Sequence, residues 1–278
     1  MRSAALGSRR AHPAEQGDTG GAGLPLWEAG IAGGAASLPD YPASAQNHIR
    51  WLALPYLIYR GQVLRADREG ARARLLTTRL FDIEMSAAAS FPAHSRNNLA
   101  RKDMPDLDAL GEIGPRLSIT LSDFGGRGRL KFFLPWRAVF STTLTNFHTH
   151  GYTVTPTLYW RMLNALRPEW IWVNQATANF ASRPLSGYFY DVAPAFATIQ
   201  RPFYDARPGY LGTEISTGLL IPLRNRQWRL FSGAQLGFHQ GSANNQSALY
   251  RRDINWTLAG GIAWEFFESK KASTVYVP

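Results

Sequence analysis

The chain has no cysteine among its 278 residues, which excludes structural disulfides and thiolate metal sites and leaves the compartment open. It also lacks any run near the roughly 20 consecutive apolar residues that a membrane-spanning helix requires, because Arg, Asn, Thr, Gly or Pro soon interrupts every apolar stretch. If the chain crosses a bilayer, it does so as strands. Walker loops, the G-x-S-x-G elbow and the H-E-x-x-H zinc motif are all missing, and with them the common nucleotide, hydrolase and metalloprotease signatures. Acidic residues are in the minority, 20 Asp and Glu against 30 Lys and Arg, for a formal net charge of +10. That excess either attracts phosphates, on nucleic acid or on lipopolysaccharide and anionic lipid, or reflects a compositional preference for Arg. Residues 1–23 carry Arg9 and Arg10 without an apolar h-region of about 7 residues behind them. They read as a flexible arm, and an export signal is expected to have been trimmed or to lie upstream of Met1.

What is abundant is alternation. Aromatics make up 13% and hydrophobic residues 45% of the chain, a load suited to strands and interfaces. The mean hydropathy of −0.22 is what a barrel with one apolar and one polar parity shows, and by itself it decides nothing. From about residue 26 to 267, segments of alternating polarity are punctuated by Gly, Pro, Asn and Asp. Residues 27–36 open as a Gly/Ala-rich strand, and residues 49–60 form a denser one that turns at Gly61 into residues 62–66. Phe81, Ile83, Met85 and Ala87 alternate with Asp82, Glu84 and Ser86; on a barrel the first set faces lipid and Asp82 and Glu84 face the lumen. Leu117, Ile119 and Leu121 lead to a turn at Gly125 and Gly126, and Phe132, Leu134, Trp136 and Ala138 return on one parity. Tyr152, Val154 and Leu158 mark the next strand, and Trp170, Trp172 and Asn174 another. Leu211, Thr213, Ile215, Thr217, Leu219 and Ile221 share a parity before a short turn at residues 224–227. The closing segment is the longest: Ile254, Trp256, Leu258, Gly260, Ile262, Trp264 and Phe266 lie on one side. Trp256 and Trp264 sit where aromatic girdles flank the lipid band.

The spacing predicts an all-β protein, a closed antiparallel transmembrane β-barrel of about 12 strands. Its domains are an arm at 1–24, the barrel at 25–267, and an extension or strand end at 268–278. Residues 92–108, 174–186 and 240–253 are expected as long extracellular loops, and 224–227 as a short periplasmic turn.

The segment containing Arg101, Met104, Pro105, Asp106 and Leu107, continuing to Gly114 and Pro115, resembles the R-x-x-M-P-D-L … G-P signature of the MipA/OmpV family of outer-membrane proteins. Leu38-Pro39-Asp40-Tyr41-Pro42 is similar to that family's early P-x-Y segment. Asn245-Gln246-Ser247-Ala248-Leu249 resembles its S-P-L segment before the last strand, with Ala248 in place of Pro. The resemblance covers nearly all of residues 27–267 and implies an outer-membrane barrel. Members are described as scaffolds for murein hydrolase and synthase complexes, as adhesins, or as porin-like proteins. The signature loop is then a structural or partner-binding element. The chain departs from the usual barrel pattern by ending in Thr-Val-Tyr-Val-Pro in place of a terminal aromatic residue.

No residue pattern supports catalysis, a cofactor or a resident metal. His148 and His150 have a spacing that some metal sites use, yet no third ligand lies near them in sequence. Asp82 and Glu84 are better explained as partners of lumen arginines than as an acid/base pair. Gly125-Gly126-Arg127-Gly128-Arg129 reads as a hairpin turn and not a phosphate cradle, since no helix follows it. Three functions remain open. A scaffold or adhesin would bind partner proteins, among them cell-wall enzymes, while embedded in lipid and lipopolysaccharide. A passive pore would favour small anions. A soluble basic β-protein would bind nucleic acid, although its arginines are scattered and not clustered with stacking aromatics, so no nucleic-acid partner is expected. Heat-modifiable migration on a detergent gel separates the barrel readings from the last: a barrel shifts between unheated and boiled samples, and a detergent-free soluble chain shows no shift.

Overall fold

A computed structural model describes residues 27–60, 64–67, 70–78, 81–125, 127–143, 146–223 and 227–269. The predicted alternation becomes a single antiparallel sheet of thirteen segments. They are β1 (Trp27–Pro39), β2 (Asn47–Arg60), β3 (Leu64–Asp67), β4 (Gly70–Thr77), β5 (Phe81–Ala89), β6 (Leu110–Asp123), β7 (Gly128–Thr143), β8 (Asn146–Val154), β9 (Thr157–Leu163), β10 (Ile171–Ala181), β11 (Gly209–Pro222), β12 (Trp228–Phe238) and β13 (Ile254–Glu268). One helix, α1 (Arg183–Tyr190), interrupts the series. No described helix is long and apolar enough to cross a membrane.

The sheet closes on itself. β1 pairs with β2 on one edge and with β13 on the other, and the chain of pairings runs on through β7, β9, β10, β11 and β12 back to β13. β8 and β9 are one stave: β7 pairs first with β8, from Thr143↔Asn146 to Trp136↔Val154, and then with β9, from Phe133↔Thr157 to Gly128↔Met162. The break falls at Thr155-Pro156, where proline has no N–H to give the ladder. Among the described residues, thirteen segments therefore make twelve staves, an even number, as bacterial single-chain barrels have.

Side chains sort by parity. On β13, Ile254, Trp256, Leu258, Ile262, Trp264 and Phe266 are exposed, while Asn255 and Glu265 between them are buried. The same sorting exposes Ile113, Leu134, Trp136, Ile215, Leu230 and Leu236. So much outward apolar surface would be a liability in water; on a barrel it meets acyl chains. Inside the seam, β1 and β13 approach through small residues, with Gly34 opposite Gly261 and Ala35 opposite Gly260. A Cβ on Gly34 would sit 2.6 Å from the Gly260 carbonyl oxygen and 3.1 Å from Phe231 Cζ, so the Phe231 ring fills the space these glycines vacate.

The two ends differ. The steps from β6 to β7 and from β11 to β12 are short and lie at the end where β1 begins and β13 finishes. The other end carries connections 40–46, 90–109, 182–208 and 239–253. The expected loop at 174–186 is corrected: Asn174 to Ala181 belong to β10, paired from Ile171↔Leu220 to Ala181↔Gly209, and the long connection begins only at Ser182. Its polar composition misleads because the outward positions there, Asn174, Ala176 and Ala178, carry little apolar surface. Leu211 also leaves its expected parity. A bulge between Asn179↔Gly212 and Phe180↔Tyr210 turns Leu211 inward, where it is buried. The predicted arm at 1–24, the turn residues Gly61, Gly126 and 224–226, and residues 270–278 of the C-terminal extension lie outside the described residues.

Gly34→Val is expected to overpack the seam by about 1–3 kcal/mol. The unheated, fast-migrating form should then unfold at lower temperature than wild type on a detergent gel, and an unchanged transition would show that the seam tolerates a side chain there.

A loop cap over the barrel mouth as the candidate functional site

The buried apolar core of this barrel lies at the long-loop end. Tyr41, Ala93, Leu107, Leu185, Tyr190, Val192, Ala206 and Leu249 form one cluster, joined by Leu110, Val139, Ala181 and Leu211 from the strand ends. All four long connections contribute. Each is tied to another by a buried polar contact, because loop backbone taken out of water must find partners within the protein.

The three family-like segments, far apart in sequence, meet here. The Tyr41 hydroxyl donates to the Leu249 carbonyl at 2.8 Å, and the Tyr190 hydroxyl donates to the Pro42 carbonyl at 2.8 Å. Ser247 Oγ donates to the Tyr190 carbonyl at 2.8 Å. Asp40 is a hub: its carboxylate accepts from Arg50 Nη2 at 2.9 Å and from Asn98 Nδ2 at 2.8 Å, and lies 2.8 Å from His48 Nδ1. Ala43, fully buried, takes φ 62° and offers its carbonyl to the amides of Arg251 and Arg252. A left-handed alanine costs energy that the surrounding contacts must offset. Burial pushes the Tyr41 hydroxyl up to about 12 and that of Tyr190 well above its ordinary value, so both stay protonated donors at any physiological pH.

Within the signature loop, Arg101 is only 4% exposed. Its Nη1 donates to the Phe189 carbonyl at 3.0 Å and its Nη2 to the Pro105 carbonyl at 3.3 Å, while its guanidinium sits 5.8 Å from the centre of the Tyr41 ring. Burial draws its pKa below the usual arginine value. Asp103 takes φ 65°, a conformation Asp tolerates, and so turns the chain back for Met104 N–H to donate to the Arg101 carbonyl at 2.9 Å. Met104 packs against the cluster and Leu107 lies within it; Leu107 forms a two-way bridge with Ala93. Asp106 accepts from the Ser95 amide at 2.7 Å and meets His94 Nδ1 at 2.7 Å, contacts that hold its carboxyl below the usual carboxylate range, the His94 contact most of all. Gly114 lies on β6 where a Cβ would come 2.8 Å from Arg137 Cα, and Pro115 beside it is exposed opposite Met85.

In the lumen, Glu84 is 4% exposed and meets Arg116 Nη2 at 2.6 Å. Arg116 also lies 4.3 Å above the Phe133 ring. Asp82 sits one pleat away on the same parity, opposite Ser118. Toward the cap, Arg137 joins Ser86 Oγ at 3.0 Å and Glu112 at 3.4 Å; on the opposite wall Arg229 lies between Glu28 and Glu265. Trp256 and Trp264 are exposed near opposite ends of β13, about 26 Å apart along a strand rising roughly 3.3 Å per residue, and Trp264 stacks on Trp228 with 5.5 Å between centroids. His150 Nε2 meets Ser141 Oγ at 2.9 Å and its ring packs on Tyr188. Gly151 beside it, at φ 77°, accompanies a register shift in β8. Among the described residues no group of three or more His, Cys, Asp or Glu is placed to hold a metal ion.

Sequence reasoning missed α1 and the connection 182–208. Arg183 there bridges Asp191 and Asp205, and Arg201 Nη1 reaches the carbonyls of Ala100 and Lys102, both at 2.9 Å. The available signal was the density of Leu185, Tyr188, Phe189, Tyr190 and Val192, too apolar for a solvated loop.

A closed sheet with an apolar exterior, a polar ion-paired interior and one elaborated end defines a transmembrane β-barrel of the bacterial outer-membrane class. The chain belongs to the family described as MltA-interacting protein MipA, whose model matches residues 31–266. No curated protein matches it in sequence. Among solved structures it is similar to one described as the NanC porin in a rhombohedral crystal form, at 8% identity and a TM-score of 0.39, covering 86% of this chain and 100% of that one. It is also similar to the CymD monoaromatic hydrocarbon channel, at 8% identity and a TM-score of 0.31, covering 88% and 90% respectively.

The depressed Asp106 carboxyl makes its loop pH-sensitive with a definite sign. Its contribution is complete above the ordinary carboxylate pKa and disappears as pH falls through the lowered folded value. Asp106→Asn is therefore expected to reduce the exchange protection of the Ser95 amide at neutral pH, after correction for intrinsic rates. Acidifying wild type should bring its protection down to the variant's level; a difference that persists unchanged in acid would assign the protection to something other than the carboxylate.

Proposed function

We propose that this protein acts as a closed barrel scaffold or adhesin, binding partner proteins through its two rims, and not as an enzyme or an open channel. One observation carries the reading: four loops bury a shared core across the mouth, with Tyr190 and Leu249 fully inaccessible at its centre. The lumen below supports it, since Glu84, Arg116, Arg137 and Glu112 are engaged with one another or with ring faces and are not presented to passing anions. Long loops of such barrels are extracellular and short turns periplasmic. The cap accordingly faces outward, Trp256 belongs to the outer aromatic girdle and Trp264 to the inner one, and lipid and lipopolysaccharide surround the apolar face between them. In this reading Arg101, Met104, Pro105, Asp106 and Leu107 shape the cap, with Gly114 and Pro115 fitting it to the wall, and Asp82 and Glu84 are lumen charges. Murein lies on the short-turn side, and the family's name for interaction with MltA supports a murein-hydrolase partner at that rim.

Two measurements test this. In planar bilayers the intact protein should conduct little. A variant combining Tyr190→Ala with Leu249→Ala loses about 2–5 kcal/mol of packing per truncation and should raise conductance severalfold. Immobilised barrel in detergent should also retain purified MltA. Steady anion-selective conductance of the intact protein together with failure to retain MltA would establish the passive-channel reading instead.

A further inference from the structure

Between the cap and the ion-paired wall lies a cavity of about 450 Å³, within the usual size of small-molecule sites. Three adjacent strands present one row of its wall: Glu214 on β11 lies opposite Gly237 on β12, which lies opposite Asn255 on β13. Gly237 puts no side chain in the middle of the row, and the His239 ring lies over it, with Nε2 3.1 Å from where a Cβ would sit. Three polar groups of this wall bear on a ligand: Glu214, Asn255 and His239. The Glu214 carboxylate lies near Asn179 and has no cationic partner among the described residues. Asn255, 4% exposed, gives its Nδ2 to the Ser44 carbonyl at 2.6 Å, and its Oδ1, near the His239 ring, has no partner of hydrogen-bonding geometry. His239 Nδ1 lies 2.9 Å from the Leu211 carbonyl, to which it donates. Burial lowers the His239 pKa, so the neutral ring turns a bare Nε2 lone pair toward Asn255. The His239 Nε2 lone pair and the Glu214 carboxylate on the same wall can both accept from a cation with N–H donors. From the cap, Phe91, Leu107, Leu185 and Phe189 also line the cavity, an apolar and aromatic surface suited to the body of an organic cation.

We propose that this cavity is a binding site for a small protonated primary amine with a compact apolar or aromatic body. Its ammonium is held by the Glu214 carboxylate and His239 Nε2, and its body packs on the apolar and aromatic groups beneath the cap. The site is separate from partner binding at the rims, and conductance and MltA retention do not report on it.

The test uses the whole barrel in detergent, with calorimetric titration at neutral pH of three probes of matched shape: benzylamine, which is protonated there, benzyl alcohol and benzoate. Benzylamine should bind saturably, about tenfold or more tighter than benzyl alcohol, and benzoate should not bind. Glu214→Gln should weaken benzylamine about tenfold and leave benzyl alcohol unchanged. Heat-modifiable migration verifies that the variant is folded. Folded Glu214→Gln that binds benzylamine like wild type, or benzoate that competes with it, would overturn the proposal. So would displacement of the amine by magnesium chloride at an ionic strength where sodium chloride has no effect, which would mark an inorganic cation site.

Discussion

Ring closure is the constraint on which the rest of this structure depends. In hydrocarbon no water is present to satisfy a free strand edge, so every N–H and C=O of the sheet must find a neighbour and the last strand must return to the first. Here that return is made by β1 and β13, and small residues let their backbones meet while Phe231 occupies the inner face. Once closed, the sheet has an apolar outside and a polar inside. The ion pairs of Glu84 with Arg116 and of Glu28 and Glu265 with Arg229 are the consequence of lining a narrow lumen with charges that need partners.

A polar lumen cannot supply the hydrophobic core that a globular domain uses, and the apolar residues not given to lipid gather at the long-loop end. There Tyr41, Leu107, Tyr190 and Leu249 come from four different connections. Burying their backbones forces the dense set of contacts around Asp40, Arg101 and Ser247, and those contacts in turn hold Ala43 and Asp103 at positive φ. A cavity remains between the cap and the strands that carry Glu214 and Asn255.

Much of the barrel was legible from sequence because strand period and membrane thickness are local rules. The alternation of β13 and the outward set of Phe132, Leu134 and Trp136 follow from which side chains lipid accepts, and the even count near twelve from the closure of an antiparallel barrel. Legibility failed where outward positions carry no apolar signal, as at Asn174, Ala176 and Ala178 of β10, and where a bulge reverses parity, as at Leu211. The family-like segments were visible as strings at residues 38–42, 101–107 and 245–249, yet nothing local to them says that they touch.

The sequence by itself determined the class of the protein, since periodicity, turn residues and the lack of a spanning helix depend on nearest neighbours and on the solvent each face meets. Only the tertiary structure decided that the loops pack on one another over the mouth, that Arg101 is buried, and that Glu214, Gly237 and Asn255 share one row across three strands. Those outcomes depend on pairings between residues dozens to hundreds of positions apart, which become neighbours only when the ring closes and sets the loop bases at fixed places around one rim.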